Sequence, residues 1–180
     1  MNYLRFAISI FIISLSTSCI NSDVVIQNKN LDRATKTLDA IYSHYTVDND
    51  VLLLRENYPY DEKWSRPYSF LWTYSGSIPA LIALYESSKD TRYLDDPEGK
   101  ILPGLDLYYD TTRLPNVYSS YLNSEPQSDR FFDDNLRLGM DFVDLYTLTQ
   151  KPNYLDKAKA IWQFVETGVD SSQGKSVYWF

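Results

Sequence analysis

The sequence repeats itself at a spacing of 61 residues, and this repeat restricts the possible folds more than any other feature. Leu84-Tyr85 recurs as Leu145-Tyr146 and Tyr93-Leu94-Asp95 recurs as Tyr154-Leu155-Asp156, so five identical residues share one register. Each copy has the pattern of a helix, a short turn and a second helix. The period exceeds the ~34 residues of a tetratricopeptide unit. We therefore predict an all-α fold in which helical hairpins stack as a toroid, with long loops gathered at one end.

Helical periodicity also gives the approximate bounds of the elements. Apolar residues at three- and four-residue spacing predict a first helix from Leu31 to Tyr45. The two copies of the repeat predict helices over Ser77–Ser88, about Tyr93–Tyr109, Asp134–Thr149 and Tyr154–Thr167. Between Asn49 and Trp72 the periodicity is lost, and a loop of this length with many aromatic residues indicates a function.

Two adjacent carboxylates, Asp133 and Asp134, stand at the predicted start of a helix, within the run Phe131-Phe132-Asp133-Asp134-Asn135. Glycosyl transfer canonically needs one ionised carboxyl and one protonated carboxyl. Two neighbouring acids do not both ionise easily, so one of them can hold a proton near neutral pH. The alternative interpretation is that these residues are ordinary helix caps that accept backbone N–H bonds.

The N-terminus indicates export. Arg5 is followed by an apolar run from Phe6 to Leu15 and by small residues up to the single cysteine, Cys19. This order is typical of a secretory signal, and the run is too short to span a bilayer. It resembles a bacterial lipoprotein signal, in which the cysteine thiol is acylated. We predict a signal peptide over residues 1–18, a tether over 19–30 and a domain over 31–180.

Composition excludes several classes of function. A net charge of −7 and a pI near 4.6 argue against a nucleic-acid partner, which requires clustered Lys and Arg. His44 is the single histidine, so Ser-His-Asp and Cys-His catalysis and multi-histidine metal sites are not available in their usual form. We predict no cofactor and no metal. The 16 Tyr and 4 Trp supply flat faces that pack a core or stack on sugar rings.

Five stretches of the sequence resemble glycoside hydrolase family 76. They are Trp64, Pro67–Gly76, Ile101–Leu105, Ser128–Asn135 and Leu138–Tyr146. The resemblance covers about Leu31 to Phe180. It implies an (α/α)6 barrel, an endo-α-1,6-mannanase activity on α-mannan, and a lipid-anchored protein of the bacterial outer membrane or cell surface. Under the retaining mechanism of that family, Asp133 would be the nucleophile and Asp134 the general acid/base.

The resemblance also gives candidate substrate-binding residues. Trp72 and Tyr121 are predicted to stack on sugars, with packing beneath a loop as the alternative. Asp129 and Arg130 either bind substrate hydroxyl groups or pair with each other. Asn135 completes the Asp-Asp-Asn motif and is predicted to contact substrate. A retaining site places its two carboxyl groups about 5 Å apart, so the helix start must turn both side chains to one side.

The number of predicted helices is small for a complete barrel. Twelve helices of ~12 residues with connections of ~6 need on the order of 210 residues, whereas about five helices are predicted here. We therefore expect an N-terminal half of such a barrel, whose activity is doubtful because one wall of the cleft is missing. Apolar residues near the C-terminus, among them Trp162, Trp179 and Phe180, would lack partners. The alternatives are a surface-tethered glycan-binding module and an inactive remnant.

Overall fold

The computed structural model describes residues 28–47, 51–122, 127–173 and 176–177. The predicted signal peptide, Cys19, most of the tether, and Trp179 and Phe180 lie outside the described residues. The chain divides into two compact units, Met1–Ala40 and Ile41–Phe180. No helix of the described part is long and apolar enough to cross a membrane.

The first described helix, α1, covers residues 28–45 and crosses the boundary between the two units. It starts three residues before the predicted Leu31 and ends at the predicted residue. Within the first unit, Lys36 Nζ lies 2.8 Å from the Asp32 carboxylate, one turn earlier. This exposed pair, at i,i+4 spacing, supports the helix by a few tenths of a kcal/mol.

The second unit is mostly helical, as predicted. Its helices are α2 (Leu71–Ser75), α3 (Ser77–Ser88), α4 (Arg92–Asp96), α5 (Leu102–Leu105), α6 (Phe132–Thr149) and α7 (Pro152–Thr167). A π-helical turn, Pro97–Ile101, joins α4 to α5, and a 3₁₀ turn, Asp106–Tyr108, follows α5. The predicted helix over Tyr93–Tyr109 is thus a continuous helical path whose hydrogen-bond spacing changes near its two prolines.

Three short antiparallel strand pairs complete the described part of the unit. They join β1 (Thr46–Val47) to β2 (Leu53–Leu54), β3 (Tyr109–Asp110) to β4 (Val117–Tyr118), and β5 (Val169–Asp170) to β6 (Ser176–Val177). A further 3₁₀ turn covers Ser171–Gln173. The β3–β4 pair is the one that matters for the site, because it contacts the start of α6.

The sequence repeat corresponds to a repeated helix ending. α3 and α6 are each followed by a residue in the left-handed conformation, Lys89 with φ 61° and Gln150 with φ 57°. The N–H of Lys89 bonds the Tyr85 carbonyl at 2.6 Å, and that of Gln150 bonds the Tyr146 carbonyl at 2.7 Å. These positions are again 61 residues apart. The repeat therefore encodes the turn of each hairpin as well as its helices.

The core lies between the hairpins. α6 packs along α7 and also contacts α3 and α2. The fully buried large side chains are mostly aromatic or aliphatic: Leu71, Tyr74, Ile78, Leu81, Ile101, Leu105, Tyr108, Tyr118, Leu138, Phe142, Leu145 and Tyr154. Tyr118, Phe142 and Tyr154 form a row with ring centroids 6.3 Å and 6.2 Å apart. Both tyrosines of this row are thus core residues, which agrees with the packing role given to tyrosines above.

Two predicted boundaries differ from the structure for local reasons. α6 begins at Phe132, two residues before the predicted start, so both aspartates lie inside its first turn. α7 begins at Pro152, two residues before the predicted start at Tyr154. Proline is well suited to the first helical position, because its missing N–H would have no partner there and its φ is already helical.

Candidate active site

The two aspartates lie in the first turn of α6 but do not cap it. Phe131 occupies the N-cap position with extended backbone, φ −82° and ψ 137°, and no side-chain cap bond. Among the described residues, the carboxyl groups of Asp133 and Asp134 make no hydrogen bond and no ion pair, although their backbones belong to α6. Their charges do face the positive end of the helix dipole. The carboxyl groups are therefore available to a ligand rather than engaged by the backbone.

Both carboxylates line one groove of about 560 Å³. Three segments of the chain form its walls, and the lining residues are Phe70, Trp72, Ser120, Phe131, Asp133, Asp134 and Arg137. Consecutive helical residues point about 100° apart, and yet both acids border the same space because they stand at the open end of α6. The groove combines three aromatic side chains with two acids and one guanidinium.

The environments of the two acids differ. Asp133 is exposed, whereas Asp134 is partly buried. The pKa of Asp134 is raised to about 6, mainly by burial and further by the adjacent Asp133, while the charge of Arg137 opposes both effects. A carboxyl with such a pKa holds its proton in mildly acidic solution. The pair therefore contains one group suited to donate a proton beside one that is open to solvent.

Asn135 holds the start of α6 in place. Its Nδ2 donates to the Tyr118 and Phe131 carbonyls, both at 2.9 Å, and its Oδ1 accepts from the Tyr118 N–H at 3.1 Å. The side chain is 0 % exposed and does not line the groove. The predicted contact of Asn135 with substrate is therefore wrong, because both amide protons and the carbonyl are already bonded to backbone.

Arg130 is likewise engaged with the backbone. Its Nη1 donates to the carbonyl groups of Arg113 and Pro115, both at 2.8 Å, and its guanidinium lies 5.1 Å from the Phe164 ring centroid. In the described part of the chain it forms no ion pair with Asp129, so the predicted pairing of these neighbours is wrong. Arg130 does not line the groove either. The bonds of Nη1 give Arg130 a structural role, and its binding of substrate hydroxyl groups stays a prediction.

Asp129 contributes through its backbone. Its carbonyl accepts the Ser120 N–H at 2.7 Å, and the Ser120 carbonyl accepts the Leu71 N–H at 2.8 Å. These two bonds connect the start of α2 to the segment that leads into α6. The Asp129 side chain is exposed and is absent from the groove lining. In this structure Asp129 therefore helps to connect α2 to the segment before α6 through its backbone carbonyl.

A buried ion pair fixes the β3–β4 hairpin beside this segment. Asp110 is fully buried and accepts bonds from Thr112 and from Arg113 Nε. Burial would raise the pKa of Asp110, but the hydrogen bonds from Thr112 and Arg113 outweigh it and lower the pKa to about 2. Arg113 also donates to the Ser128 carbonyl at 2.7 Å. The hairpin is thus joined to the chain just before α6.

The two predicted stacking residues have different positions. Trp72 is 54 % exposed and lines the groove, so its indole face is open to a ligand. Tyr121 lies outside the lining, where its hydroxyl oxygen accepts the Tyr68 N–H at 3.3 Å and its ring packs 5.4 Å from Phe70. Tyr121 therefore supports Phe70, and the packing interpretation describes it better than direct stacking.

Sequence reasoning missed one buried acid and four groove residues, Phe70, Ser120, Phe131 and Arg137. Ser120 reaches the groove through backbone bonds to Leu71 and Asp129, and Phe70 directly precedes Leu71, so long-range pairing places both and leaves no local signal. Arg137 could have been found, since it follows Asp134 by three residues and shares its helix face. Asp141, one turn further along α6, is 6 % exposed, and burial raises its pKa to about 7.

No cluster of three metal-ligating side chains occurs within the described ranges.

Comparison with known proteins gives matches among solved structures. No family model and no curated protein matches the sequence. A family 76 glycoside hydrolase (mannosidase) from Bacteroides thetaiotaomicron matches with 29% identity and a TM-score of 0.71. A second family 76 glycoside hydrolase, from a bovine strain of that species, has 24% identity and a TM-score of 0.71.

A third match is an inactive variant of an α-1,6-mannanase from Salegentibacter sp., in which two consecutive aspartates are replaced by alanine, in complex with α-1,6-mannotetrose. Its identity is 19% and its TM-score 0.59. Each match covers 83% of this chain, but the chain spans only 40%, 32% and 38% of the three structures. The chain is therefore similar to part of a family 76 structure, and the resemblance to glycoside hydrolase family 76 predicted from its sequence is confirmed.

Proposed function

We propose that this chain contributes the catalytic carboxyl groups of a glycoside hydrolase that cleaves α-1,6-linked mannan with retention of configuration. One observation carries the proposal: Asp133 and Asp134 border the same groove, with no hydrogen bond or ion pair to the rest of the described chain. If these aspartates were helix caps or members of structural ion pairs, their carboxyl groups would be bonded to backbone N–H groups or to a cation. A retaining glycosidase requires an ionised carboxyl group close to a protonated one, and two carboxyl groups with unequal environments on one groove suit that requirement.

The environments of the two acids support a role for each of them in this proposal. Asp133, exposed and next to the groove, is the nucleophile: its carboxylate oxygen attacks the anomeric carbon as the glycosidic C–O bond breaks. Asp134, whose pKa is raised to about 6, gives its proton to the departing oxygen. In the second step Asp134 takes a proton from water, and that water oxygen attacks the anomeric carbon and releases Asp133.

The aromatic side chains of the groove suit a sugar ligand. Trp72 and Phe70 present flat faces beside the acids, and such faces stack on the C–H side of pyranose rings. Substrate held there would lie against the open end of α6. Because the bonds from Ser120 to Leu71 and Asp129 fix the two walls relative to each other, the stacking face and the acids keep their separation.

The solved structures support the choice of substrate. The Salegentibacter sp. enzyme binds α-1,6-mannotetrose in a variant inactivated at two consecutive aspartates. Asp133 and Asp134 are the consecutive pair that stands at the groove here. The chain spans well under half of the length of these structures. The mannanase activity of the whole protein is therefore part of this proposal.

The test is hydrolysis of α-1,6-mannotetraose by the chain and by Asp133→Asn and Asp134→Asn. Each substitution keeps the shape and removes the acid, so we expect reducing-end release to fall by about 10²–10⁴-fold. Asp156→Asn, at an exposed position of α7 away from the groove, is the matched control. Proton NMR of the first product shows whether its configuration is retained. Undiminished release from either groove variant would refute the assignment.

A second candidate function is favoured by the exposed face of Trp72 beside the groove. A surface-tethered glycan-binding module would bind mannotetraose and release no reducing ends. Calorimetric titration distinguishes it, because Trp72→Ala would abolish binding while Asp133→Asn and Asp134→Asn would leave it largely intact. An inactive remnant would neither bind nor cleave.

We also propose that the protein is exported and lipid-anchored through Cys19, on the bacterial outer membrane or cell surface. The support is the order of Arg5, the apolar run and the small residues before the cysteine. Acylation would be detected by mass spectrometry of the mature protein. With Cys19→Ser, the protein should move from the membrane fraction to the soluble fraction, and an unchanged distribution would contradict the anchor.

A further inference from the structure

The outer face of the α6–α7 hairpin has no part in the proposed cleavage. It borders a hollow of about 520 Å³ that shares no lining residue with the groove of the two acids. Its apolar side chains Leu136, Met140, Val143 and Trp162 are each more than a third exposed. Contiguous apolar surface of this kind marks a site of interaction on a folded protein. This outer face is therefore a candidate interface.

The 61-residue offset compares the outer face with the same positions in the first copy of the repeat. Val143 corresponds to Ile82 and Trp162 corresponds to Ile101. The two isoleucines are 7 % and 0 % exposed, whereas Val143 and Trp162 are 45 % and 54 % exposed. Positions that lie open on the second hairpin are thus covered in the first.

A charged contact shows how the second hairpin packs against the first. α6 contacts α3, and the Glu98 carboxylate accepts bonds from Lys151 Nζ at 2.7 Å and from the Tyr154 hydroxyl at 3.1 Å, at the start of α7. The offset places Lys159, which lines the hollow, at the position of Glu98. The outer face therefore presents a cation where the first hairpin presents an acid. By the same pattern, it suits a helical hairpin that brings an acid to Lys159.

We propose that this outer face binds the same face of a second copy of the chain, so that two α6–α7 hairpins form a four-helix bundle about a two-fold axis. Asp144 supplies the acid. It is exposed and lines the same hollow as Lys159, and neither residue belongs to an ion pair in the described part of the chain. A face that carries both signs of charge is able to complement itself, as a two-fold interface requires.

The order of the two charges along the hairpin fits this symmetry. Asp144 precedes the turn residue Gln150 by six positions, and Lys159 follows it by nine. Because α6 and α7 run in opposite directions, the two charges lie at heights that differ by only about 5 Å. A two-fold axis parallel to the helices keeps that height and places α6 of one copy against α7 of the other. Asp144 then meets Lys159 twice, and neighbouring helices are antiparallel, as in four-helix bundles.

The size of the outer face determines how strong the contact is. α6 has 18 residues and is therefore about 27 Å long, and two packed helices are about 20 Å wide. Each copy contributes about 500 Å², so that a dimer buries on the order of 1,000 Å², which is the lower limit for a specific interface. We therefore expect a dimer that dissociates on dilution and exposes the outer face in dilute solution.

The test is sedimentation equilibrium of the whole chain between about 1 μM and about 100 μM, the range in which a weak dimer dissociates. Reducing conditions keep Cys19 from cross-linking two copies. The mean mass should rise with concentration from that of one chain toward that of two. Met140→Lys combined with Trp162→Lys places charges inside the interface and should leave a monomer. Trp64→Lys changes an exposed tryptophan outside the hollow, and this control should dimerise like the wild type.

Exchange of charges tests the pairing of Asp144 with Lys159. Asp144→Lys sets lysines of the two copies against each other, and Lys159→Asp does the same with acids. Each should weaken dimerisation by about tenfold or more. The two substitutions together restore opposite charges, and that variant should dimerise within about threefold of the wild type. Both side chains are exposed, so the variants should fold.

A chain that stays monomeric at the highest concentration would overturn the proposal and leave the outer face to a different occupant, such as a helical hairpin of another protein. A dimer that survives Met140→Lys with Trp162→Lys would also overturn it, because another surface would then form the contact. If both single charge variants dimerise like the wild type, the two-fold pairing is wrong. Sedimentation needs no substrate, so these outcomes do not depend on cleavage of mannotetraose.

Discussion

At the scale of single residues, the groove depends on side chains that bond to backbone. Asn135 and Arg130 both stand next to the acids in sequence, yet neither reaches the groove. Asn135 exchanges three hydrogen bonds with the backbone of Tyr118 and Phe131, much as a neighbouring strand would. Both side chains hold the segment that carries Asp133 and Asp134 in a fixed position, as the proposed catalysis requires.

Replacing Asn135 by Ala should destabilise the protein strongly. The buried N–H and carbonyl of Tyr118 would lose their partners, and unsatisfied buried groups of this kind cost about 1–3 kcal/mol each. We expect the free energy of unfolding, measured with urea, to fall by about 2–4 kcal/mol. Asn153→Ala, at an exposed position in the first turn of α7, is the control and should change it little. Equal effects would show that Asn135 does not bind the hairpin.

The Asp110–Arg113 pair predicts how stability depends on pH. The pKa of Asp110 is lowered from 3.8 to about 2 in the folded state, so its ionised form stabilises the fold. That contribution is complete above the unfolded pKa and is lost as the pH falls through about 2. At pH 7, Asp110→Asn should lower the free energy of unfolding by about 2–3 kcal/mol.

The same substitution should matter much less at pH 2, where Asp110 is protonated in part of the folded population as well. Urea unfolding at the two pH values measures this difference. Asp90→Asn removes an exposed pair with Arg92 and serves as the comparison, with a small effect expected at both pH values. A constant difference between wild type and Asp110→Asn across this range would contradict the linkage.

At the scale of elements, the end of α7 packs against the start of α6. Gly168 ends α7, and the ring of Phe132 lies directly over it. That ring stacks on Phe164 of α7 with centroids 4.5 Å apart and planes inclined by 19°. The first turn of α6, which carries both acids, is therefore fixed by α7 on one side and by the β3–β4 hairpin on the other.

Gly168→Ala should disturb this contact. A Cβ at this position would lie 2.5 Å from Phe132 Cζ, closer than van der Waals contact permits, and the stacked ring has little room to move. We expect a loss of about 1–3 kcal/mol in the free energy of unfolding. Gly99→Ala is the matched control, because its Cβ would meet nothing within 4 Å, and it should be neutral or slightly stabilising. A harmless Gly168→Ala would show that the ring yields easily.

At the scale of the whole molecule, the sequence predicts the hairpins well and the framework of the site poorly. The period that relates Leu84 to Leu145 and the periodicity of apolar residues locate α3, α6 and α7 within about two residues. The bonds of Asn135 to Tyr118 and of Arg130 to Arg113 join residues 17 positions apart. Such bonds follow from tertiary packing, which leaves no periodic signal in the sequence.

The outer face of the α6–α7 hairpin remains apolar over a hollow of about 520 Å³. Its exposed side chains include Leu136, Met140, Val143 and Trp162, while the opposite side of α6 contacts α2 and α3. Apolar patches of this kind are uncommon on monomeric proteins and bind hydrophobic dyes. The predicted stacking of hairpins thus leaves one stacking face open in the described part of the chain.

We expect the purified chain to enhance the fluorescence of anilinonaphthalene sulfonate through this face. The double variant Met140→Lys, Trp162→Lys places two charges on it and should remove most of the enhancement. Both side chains are more than half exposed, so the fold should survive, as circular dichroism would verify. Trp64→Lys, a similarly exposed tryptophan outside the hollow, is the control. If the control lowers the fluorescence as much as the double variant does, the dye binds elsewhere, and the apolar face of the α6–α7 hairpin is not its binding site.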